Sequence, residues 1–272
     1  MIAKLDDVIR LLEEIAPPHL AEEWDNVGLL VGDPSRDVGR VMTCLTVTPD
    51  TAAEAIQRRA DLIVTHHPLP FRPLKRLTTE TTVGRLLLEL IAAGTAVYSA
   101  HTAFDSAAEG INARLAAGLK LNDVGPLITT APATDAGQPA APSLGTGRLG
   151  TLAEPITLDE LAERLKTFLG VGKLRCVGPG DCSVRRVAIG CGAAGSLLDE
   201  TVAANCQAMV LGEASFHTCL EAQARHMGLL LPGHYASERF ALEWLAERLA
   251  EKLPGLDVWS SRRERDPIRW LD

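Results

Sequence analysis

One adjacent pair of histidines and two histidine–carboxylate pairs are the residues of this sequence whose types and spacing could do chemistry. The adjacent pair is His66 and His67, and the pairs with a spacing of four are His101 with Asp105 and His234 with Glu238. Imidazole and carboxylate groups bind divalent metals such as Zn, Mn, Fe or Co. Thiolates, which a structural zinc knot favours, do not accompany them. The residue types therefore predict a metal site that could support hydrolysis.

A short apolar strand must hold the adjacent histidines. Residues 62–64, Leu-Ile-Val, have the pattern of a buried strand. Pro68 ends it, because proline has no amide hydrogen and disfavours helix at the preceding residue. His66 and His67 then lie at the carboxyl end of the strand with diverging side chains. Diverging side chains suit two neighbouring ions better than one. For this stretch taken alone, the alternative is an ordinary exposed or hydrogen-bonded histidine pair.

The other predicted ligands also follow strands. Residues 96–100 read as a strand that delivers His101, and residues 229–231 read as one that leads to His234. Ligands of open α/β sheets collect at the carboxyl ends of strands. Counting His217, five of the seven histidines fall at such junctions, and His19 and His226 are given no role. Two metal ions bridged by a carboxylate and a water would form a hydrolytic centre, because the ions lower the pKa of that water.

The second half of the chain echoes the first. LDDVIRLLEEIAP, from Leu5, is matched by LDELAERLKTFLG, from Leu158, and the predicted strands and helices follow in the same order in both halves. This pattern predicts a duplicated α/β unit with repeats at 1–125 and 150–272. Residues 126–149 are rich in proline and glycine and predict a linker or hairpin between the repeats. If the halves pack face to face, one pocket would hold the histidines and both carboxylates.

Bulk composition excludes several classes of protein. The net charge of −8 and the pI near 5.4 lack the basic face that DNA or RNA binding requires. No run approaches the roughly 20 apolar residues of a membrane span. The N-terminal segment is amphipathic and acidic, unlike a signal peptide, and the six cysteines form no CxxC pair. We expect a cytoplasmic protein with reduced thiols.

With these motifs assembled, the chain resembles the GTP cyclohydrolase I type 2 homologues, also called the Nif-three-like family, in their short form. The stretches that carry the resemblance run in order from about residue 5 to 250: WDNVGLLVGDP, DLIVTHHPLPF, YSAHTAFDSAAEGINARLA, GTGRLGTL, MVLGEASFH and LLPGHYASE. The resemblance implies two intertwined α/β repeats built from helix-strand-helix-strand units, with two divalent ions (Zn, Mn or Fe) between the halves. It also implies a ring-shaped homohexamer.

The resemblance also implies a role for each site residue. His67 and Asp105 would bind one ion, His66 and His234 the other, and Glu238 would bridge both. The catalytic candidates are His101, which would line the pocket, and His217 with Glu213, which could orient the water or carry protons. From the residues themselves, the Asn-Val-Gly of WDNVG is expected to serve the backbone, with a direct site role for Asp25 as the alternative.

Three positions depart from the family pattern. Thr46 stands where aspartate is usual, Ala103 where asparagine is usual, and Phe216 where histidine is frequent. The expected ligands are intact, so these departures bear on substrate contacts and on hydrogen bonds around the ligands.

The function expected from these observations is di-metal hydrolysis, with cyclohydrolase-type ring opening of GTP or action on a related nucleotide or phosphoester. No GxxxxGK phosphate loop is present, so Arg72 or Arg76 would have to recognise a triphosphate. The alternative is a non-enzymatic, metal-binding scaffold or regulator that acts through protein partners.

Overall fold

The computed structural model describes residues 3–129 and 144–271 as a mixed α/β fold. The strands are β1 Ala3–Lys4, β2 Gly28–Val31, β3 Asp37–Val38, β4 Arg40–Cys44, β5 Leu62–Thr65, β6 Ala96–Ser99, β7 Asn122–Gly125, β8 Ile128–Thr129, β9 Gly145–Thr146, β10 Arg148–Thr157, β11 Arg175–Val177, β12 Ser183–Gly190, β13 Ala208–Leu211, β14 Gly228–Leu231 and β15 Asp257–Ser260. The α-helices are α1 Leu5–Ile15, α2 Pro49–Gln57, α3 Thr82–Ala93, α4 His101–Ser106, α5 Ile111–Gly118, α6 Leu158–Leu169, α7 Leu198–Ala203, α8 Phe216–Ala224 and α9 His234–Lys252. The α/β class predicted from the sequence is confirmed.

The chain forms two compact units. The first unit comprises Met1–Phe104 and Ala241–Asp272, and the second comprises Asp105–Phe240. The predicted repeats divide the chain differently, because similarity within a sequence and compactness are different criteria, and the repeat boundaries stay a prediction. Residues 130–143 of the predicted linker or hairpin lie outside the described residues. The strands that flank this segment, β8 and β9, pair antiparallel.

The sheet of the first unit has the strand order β15-β4-β5-β6-β2. The three consecutive strands β4, β5 and β6 are parallel neighbours, and β2 pairs antiparallel with β6 at the edge. Parallel strands are covered on both faces, so they read as continuous apolar runs. Every residue of β5 and of β6 is accordingly buried. The DLIVT run ends at the carboxyl edge of this sheet.

The sheet of the second unit has the order β11-β14-β13-β12-β10-β7. Its consecutive strands β12, β13 and β14 are again parallel neighbours, while the outer strands pair antiparallel. Each unit thus contains a run of three parallel strands in chain order, and the carboxyl ends of these strands carry the candidate ligands in both. In the part of the chain that the structure describes, no helix combines the length and the apolar character needed to span a bilayer.

Two predicted helices begin earlier than their sequence pattern indicates. Residues 106–119 have a helical pattern of apolar residues, but in the structure α4 starts already at His101 and α5 starts only after Gly110, which takes the N-cap position. The helical pattern of the last long helix starts at Arg239, whereas α9 begins at His234. His101 and His234 therefore each open a helix, and the carboxylate four residues later lies one helical turn along the same element.

Candidate metal centre

Three imidazoles of the first unit lie together and are called the histidine cluster here. They belong to His66, His67 and His101, and their ligand nitrogens lie within 4.8 Å of one another. The ring centroids are 5.0 Å apart for His66–His67, 5.1 Å for His66–His101 and 5.6 Å for His67–His101. Three neutral imidazoles at this separation can coordinate one divalent transition metal, so the residue types fit a metal site.

Neighbouring parallel strands bring the cluster together. β5 and β6 are in register as far as Thr65 and Ser99, and the histidines follow directly after these strand ends. The amide of His66 donates to the carbonyl of Cys44 over 3.1 Å, which extends the ladder beyond the strand. The hydroxyl of Ser99 donates to the carbonyl of His66 over 2.7 Å. The backbone beneath the cluster is therefore tied on both sides.

His67 is oriented by a hydroxyl and, behind it, by a buried carboxylate. Oγ1 of Thr46 lies 2.7 Å from Nδ1 of His67. The Glu264 carboxylate accepts the amides of Leu45 and Thr46 over 2.9 and 2.8 Å and is itself 5% exposed. The C-terminal segment thus fixes the loop after β4, and that loop fixes the imidazole. Thr46, one of the departures from the family pattern, supplies a ligand-orienting hydrogen bond through its hydroxyl.

His101 is oriented by the carboxylate of Asp25, a residue for which the sequence offered a site role only as an alternative. Oδ1 of Asp25 lies 2.7 Å from Nδ1 of His101, and Oδ2 accepts the amide and the hydroxyl of Thr102. Burial opposes the ionisation of Asp25, but the hydrogen bonds from His101 and Thr102 outweigh it and lower its pKa to about 2. With Nδ1 donating to an ionised carboxylate, His101 has Nε2 as its acceptor or ligand atom. Nothing in the spacing of WDNVG indicates this role.

The second unit provides an imidazole between two carboxylates. Nδ1 of His234 lies 3.0 Å from Oε1 of Glu213, and Nε2 lies 3.2 Å from Oε2 of Glu238. The hydrogen bond that His234 donates to Glu238 raises the pKa of His234 to about 9 against the opposing effect of burial, and Glu213 adds to the rise. Two carboxylates around one imidazole favour a positive charge at this point, whether a proton on His234 or a bound cation.

Two glycines make room for this carboxylate-rich set. Gly192 has φ +61°, and a Cβ there would lie 2.3 Å from Oε1 of Glu238 and 3.3 Å from Nε2 of His234. A Cβ at Gly212 would lie 2.6 Å from the hydroxyl oxygen of Ser237. That hydroxyl accepts the amide of Gly192 over 3.0 Å and donates to the carbonyl of His234 over 2.8 Å. The backbone approaches the start of α9 closely only because these positions lack side chains.

Asp105, also in the second unit, has its own supporting contacts. The thiol of Cys191 donates to Oδ1 of Asp105 over 3.1 Å. The side chain of Asn112 donates to the carbonyl of Asp105 over 3.1 Å and accepts the amide of Cys191 over 2.7 Å. Burial, Asp105 and Glu238 raise the pKa of Cys191 well above its usual value, so the sulfur remains a protonated donor. Sequence reasoning found no role for Cys191 or Asn112.

The predicted site residues are therefore distributed as follows. The first unit brings together His66, His67 and His101. In the second unit, Glu213 and Glu238 both contact the imidazole of His234, and the thiol of Cys191 donates a hydrogen bond to Asp105. His217 is exposed in the first turn of α8, and its described ring contact is with Phe216 at 6.0 Å.

Comparison with known proteins identifies the relatives of this chain. Residues 3–267 match the family model described as Duf34/NIF3 (NGG1p interacting factor 3). A Clostridium perfringens protein named GTP cyclohydrolase 1 type 2 homolog is 31% identical over 98% of this chain and 100% of its own length. A Streptomyces coelicolor protein of the same name is 36% identical over 86% of this chain and 81% of its own. A Bacillus cereus structure described as related to NIF3 is similar with a TM-score of 0.88 at 23% identity, with full coverage of both chains.

Proposed function

Because the chain belongs to the Duf34/NIF3 family, as its sequence motifs indicated, we propose that it is a hydrolase dependent on two divalent ions per chain, Zn, Mn or Fe. The observation that carries the proposal is the histidine cluster of His66, His67 and His101, with ligand atoms within 4.8 Å of one another. A lone histidine at a strand end is normally satisfied by a hydrogen bond, whereas several that converge there are typical of metal ligation.

The proposal assigns His67 and Asp105 to one ion, His66 and His234 to the other, and Glu238 to both. The chemistry of the donors supports this assignment. Neutral imidazoles offset none of the charge of two divalent ions, whereas the carboxylates of Asp105 and Glu238 would offset about half of it. The hydrogen bond between Nδ1 of His67 and Thr46, and the one from Cys191 to Asp105, would hold the ligand atoms in position, as partners of metal ligands commonly do.

In the proposed reaction, the bound ions supply a water of lowered pKa as nucleophile. His101, fixed by Asp25, would present Nε2 to accept a hydrogen bond or a proton from the substrate side. Glu213 and His217 are proposed to carry protons at the second unit. The names of the relatives support a nucleotide substrate and cyclohydrolase-type ring opening of GTP. Arg72 and Arg76, both exposed, are the proposed contacts of its phosphates.

The same resemblance supports assembly as a homohexameric ring and a cytoplasmic location, and both are part of the proposal. Sedimentation velocity would test the assembly directly, since a hexamer of 29.1 kDa chains is well separated from smaller species.

Metal content per chain tests the proposal most directly. Native protein and Glu238→Gln would be purified without added metal and measured by elemental analysis, with Glu247→Gln as control, because Glu247 is an exposed carboxylate of the same helix. We expect about two ions per native chain and per control chain, and a sharp fall in Glu238→Gln. Native protein that binds no Zn, Mn or Fe, even when these are added, would refute the proposal.

Turnover separates the enzyme from the scaffold. Metal-loaded native protein should hydrolyse GTP or a related nucleotide, and Glu238→Gln should lose that activity. If native protein holds two ions but hydrolyses no nucleotide or phosphoester, the metal-binding scaffold becomes the better description.

A further inference from the structure

We infer that Trp24 and Phe71 form a stacking site for a planar heteroaromatic ring beside the histidine cluster. The inference rests on the proposed function only in taking that ring to be part of the substrate. Both aromatic residues belong to the first unit, as do the residues that position them.

The two aromatic side chains are unusually exposed. Trp24 is 62% exposed and Phe71 is 47% exposed. Their ring centroids lie 6.0 Å apart with the planes inclined at 63°, so the rings form an open corner rather than a closed stack. Large aromatic groups that remain exposed next to one another mark a surface whose apolar area is covered by something else.

The corner is continuous with the histidine cluster. The ring of His101 lies 6.1 Å from that of Trp24 and 6.0 Å from that of Phe71, at interplanar angles of 80° and 90°. The plane of the His101 ring is therefore nearly perpendicular to both aromatic rings, while its own position is set by Asp25. A ligand seated against Trp24 and Phe71 would lie next to the imidazole that the proposed reaction uses.

Hydrogen bonds fix the backbone segments that carry Trp24 and Phe71 before any ligand binds. The side-chain amide of Asn26 donates to the carbonyl of Pro70 over 2.8 Å, which joins the segment that carries Trp24 to the segment that carries Phe71. Asp25, between Trp24 and Asn26, is held by His101 and Thr102. Little backbone ordering therefore remains to oppose binding.

The chemistry around the corner favours a flat, anion-bearing ligand over an aliphatic one. A heteroaromatic ring can lie on the face of one aromatic side chain and meet the edge of the other. Phe71 is followed by the exposed cations Arg72, Lys75 and Arg76, which suit phosphate substituents. An aromatic surface followed in the chain by positive charges is the combination that nucleobase-binding surfaces use without base-specific hydrogen bonds.

Calorimetric titration of metal-stripped protein tests the inference apart from the metal chemistry. Guanosine 5′-monophosphate is the aromatic probe, and ribose 5-phosphate is the matched probe without a ring. We expect the nucleotide to bind at least tenfold more tightly than the sugar phosphate. Trp24→Leu should weaken nucleotide binding by about tenfold, the order expected for one lost stacking contact, and Phe71→Leu should weaken it severalfold.

Trp270→Leu is the control, because Trp270 is 53% exposed in the same unit and far along the chain from the corner. It should leave binding unchanged. Equal affinities for the two probes, no binding of the nucleotide, or full affinity in both Trp24→Leu and Phe71→Leu would overturn the inference. So would a Trp24→Leu chain that keeps its affinity but loses its oligomeric state in sedimentation, which would make the corner a contact between copies. Absence of metal in native protein would refute the proposed hydrolase and leave this result standing.

Discussion

Oγ1 of Thr46 lies 2.7 Å from Nδ1 of His67, so a neutral hydroxyl orients one of the candidate metal ligands. Thr46 is itself held by the bond from its amide to Glu264, more than two hundred positions away in the chain. The position of the His67 imidazole therefore depends, through Thr46, on Glu264 in the C-terminal segment.

Removing the Thr46 hydroxyl should weaken metal binding without unfolding the protein. Thr46→Val keeps the shape of the side chain but leaves Nδ1 of His67 without this partner. Loss of such an orienting hydrogen bond typically costs about tenfold or more in metal affinity. Competition with a chromophoric zinc chelator would measure the change. Thr46→Ser retains the hydroxyl and should bind zinc nearly as well as the native chain; equal affinities in all three proteins would contradict the orienting role.

A single added methyl group should disable the carboxylate set of the second unit. In Gly192→Ala the new Cβ would lie 2.3 Å from Oε1 of Glu238, and φ +61° is unfavourable for alanine. Glu238 must then move, so we expect the metal content per chain to fall as in Glu238→Gln. Gly172→Ala is the control, since a Cβ at this exposed position meets nothing within 4 Å. A Gly192→Ala protein with native metal content would show that Glu238 is not a ligand.

Arg148 should be a large contributor to the stability of the second unit. Its buried guanidinium donates to the carbonyls of Gly145, Gly147, Ser106 and Ala107 over 2.7–2.8 Å. Burial lowers the pKa of Arg148, but a guanidinium keeps its proton. The four carbonyls therefore stabilise its buried positive charge.

Lysine cannot reach all four carbonyls from one nitrogen, so Arg148→Lys should lower the free energy of unfolding by about 3 kcal/mol. Urea denaturation would measure it. The exposed Arg185 gives the matched Arg185→Lys control, for which a change within about 0.5 kcal/mol is expected. A loss no larger in Arg148→Lys than in that control would argue against the role.

Glu54 should make stability depend on pH in the acid range. Burial opposes its ionisation, but hydrogen bonds from the hydroxyl of Ser261 and the amides of Arg262 and Arg263 outweigh this and lower its pKa below the usual value of 4.5. A carboxylate with a lowered pKa in the folded state stabilises that state above its unfolded pKa. The contribution is lost as the pH falls through the folded pKa.

Glu54→Gln should therefore be less stable than the native chain at pH 6, and the difference should shrink as the pH is lowered toward 3. Denaturant titrations across this range would follow it. Glu89→Gln, at an exposed position of α3, should change stability little at any pH. If the difference in stability between the native chain and Glu54→Gln grew as the pH fell, the lowered pKa of Glu54 would be contradicted.

Much of the local structure could be predicted because its causes are local. The helical spacing of apolar residues from Leu5 predicts α1, and a glycine after an apolar helical run, such as Gly94 after α3, predicts a left-handed helix end. The apolar run before His66 predicted β5, since buried parallel strands need such runs. The starts of α4 and α9 were missed because His101 and His234 carry no helix-start signal, and tertiary contacts such as Asp25 with His101 hold them there.

The sequence by itself determined the α/β class, the family and the residue types of the candidate metal centre, because periodicity, motif and ligand chemistry are written along the chain. Only the tertiary structure decided which groups position those residues. Asp25 meets His101 across 76 positions, and Glu264 holds the Thr46 loop across 218. Such partners leave no periodic trace in the sequence, because any buried carboxylate that the fold brings within hydrogen-bonding distance can serve.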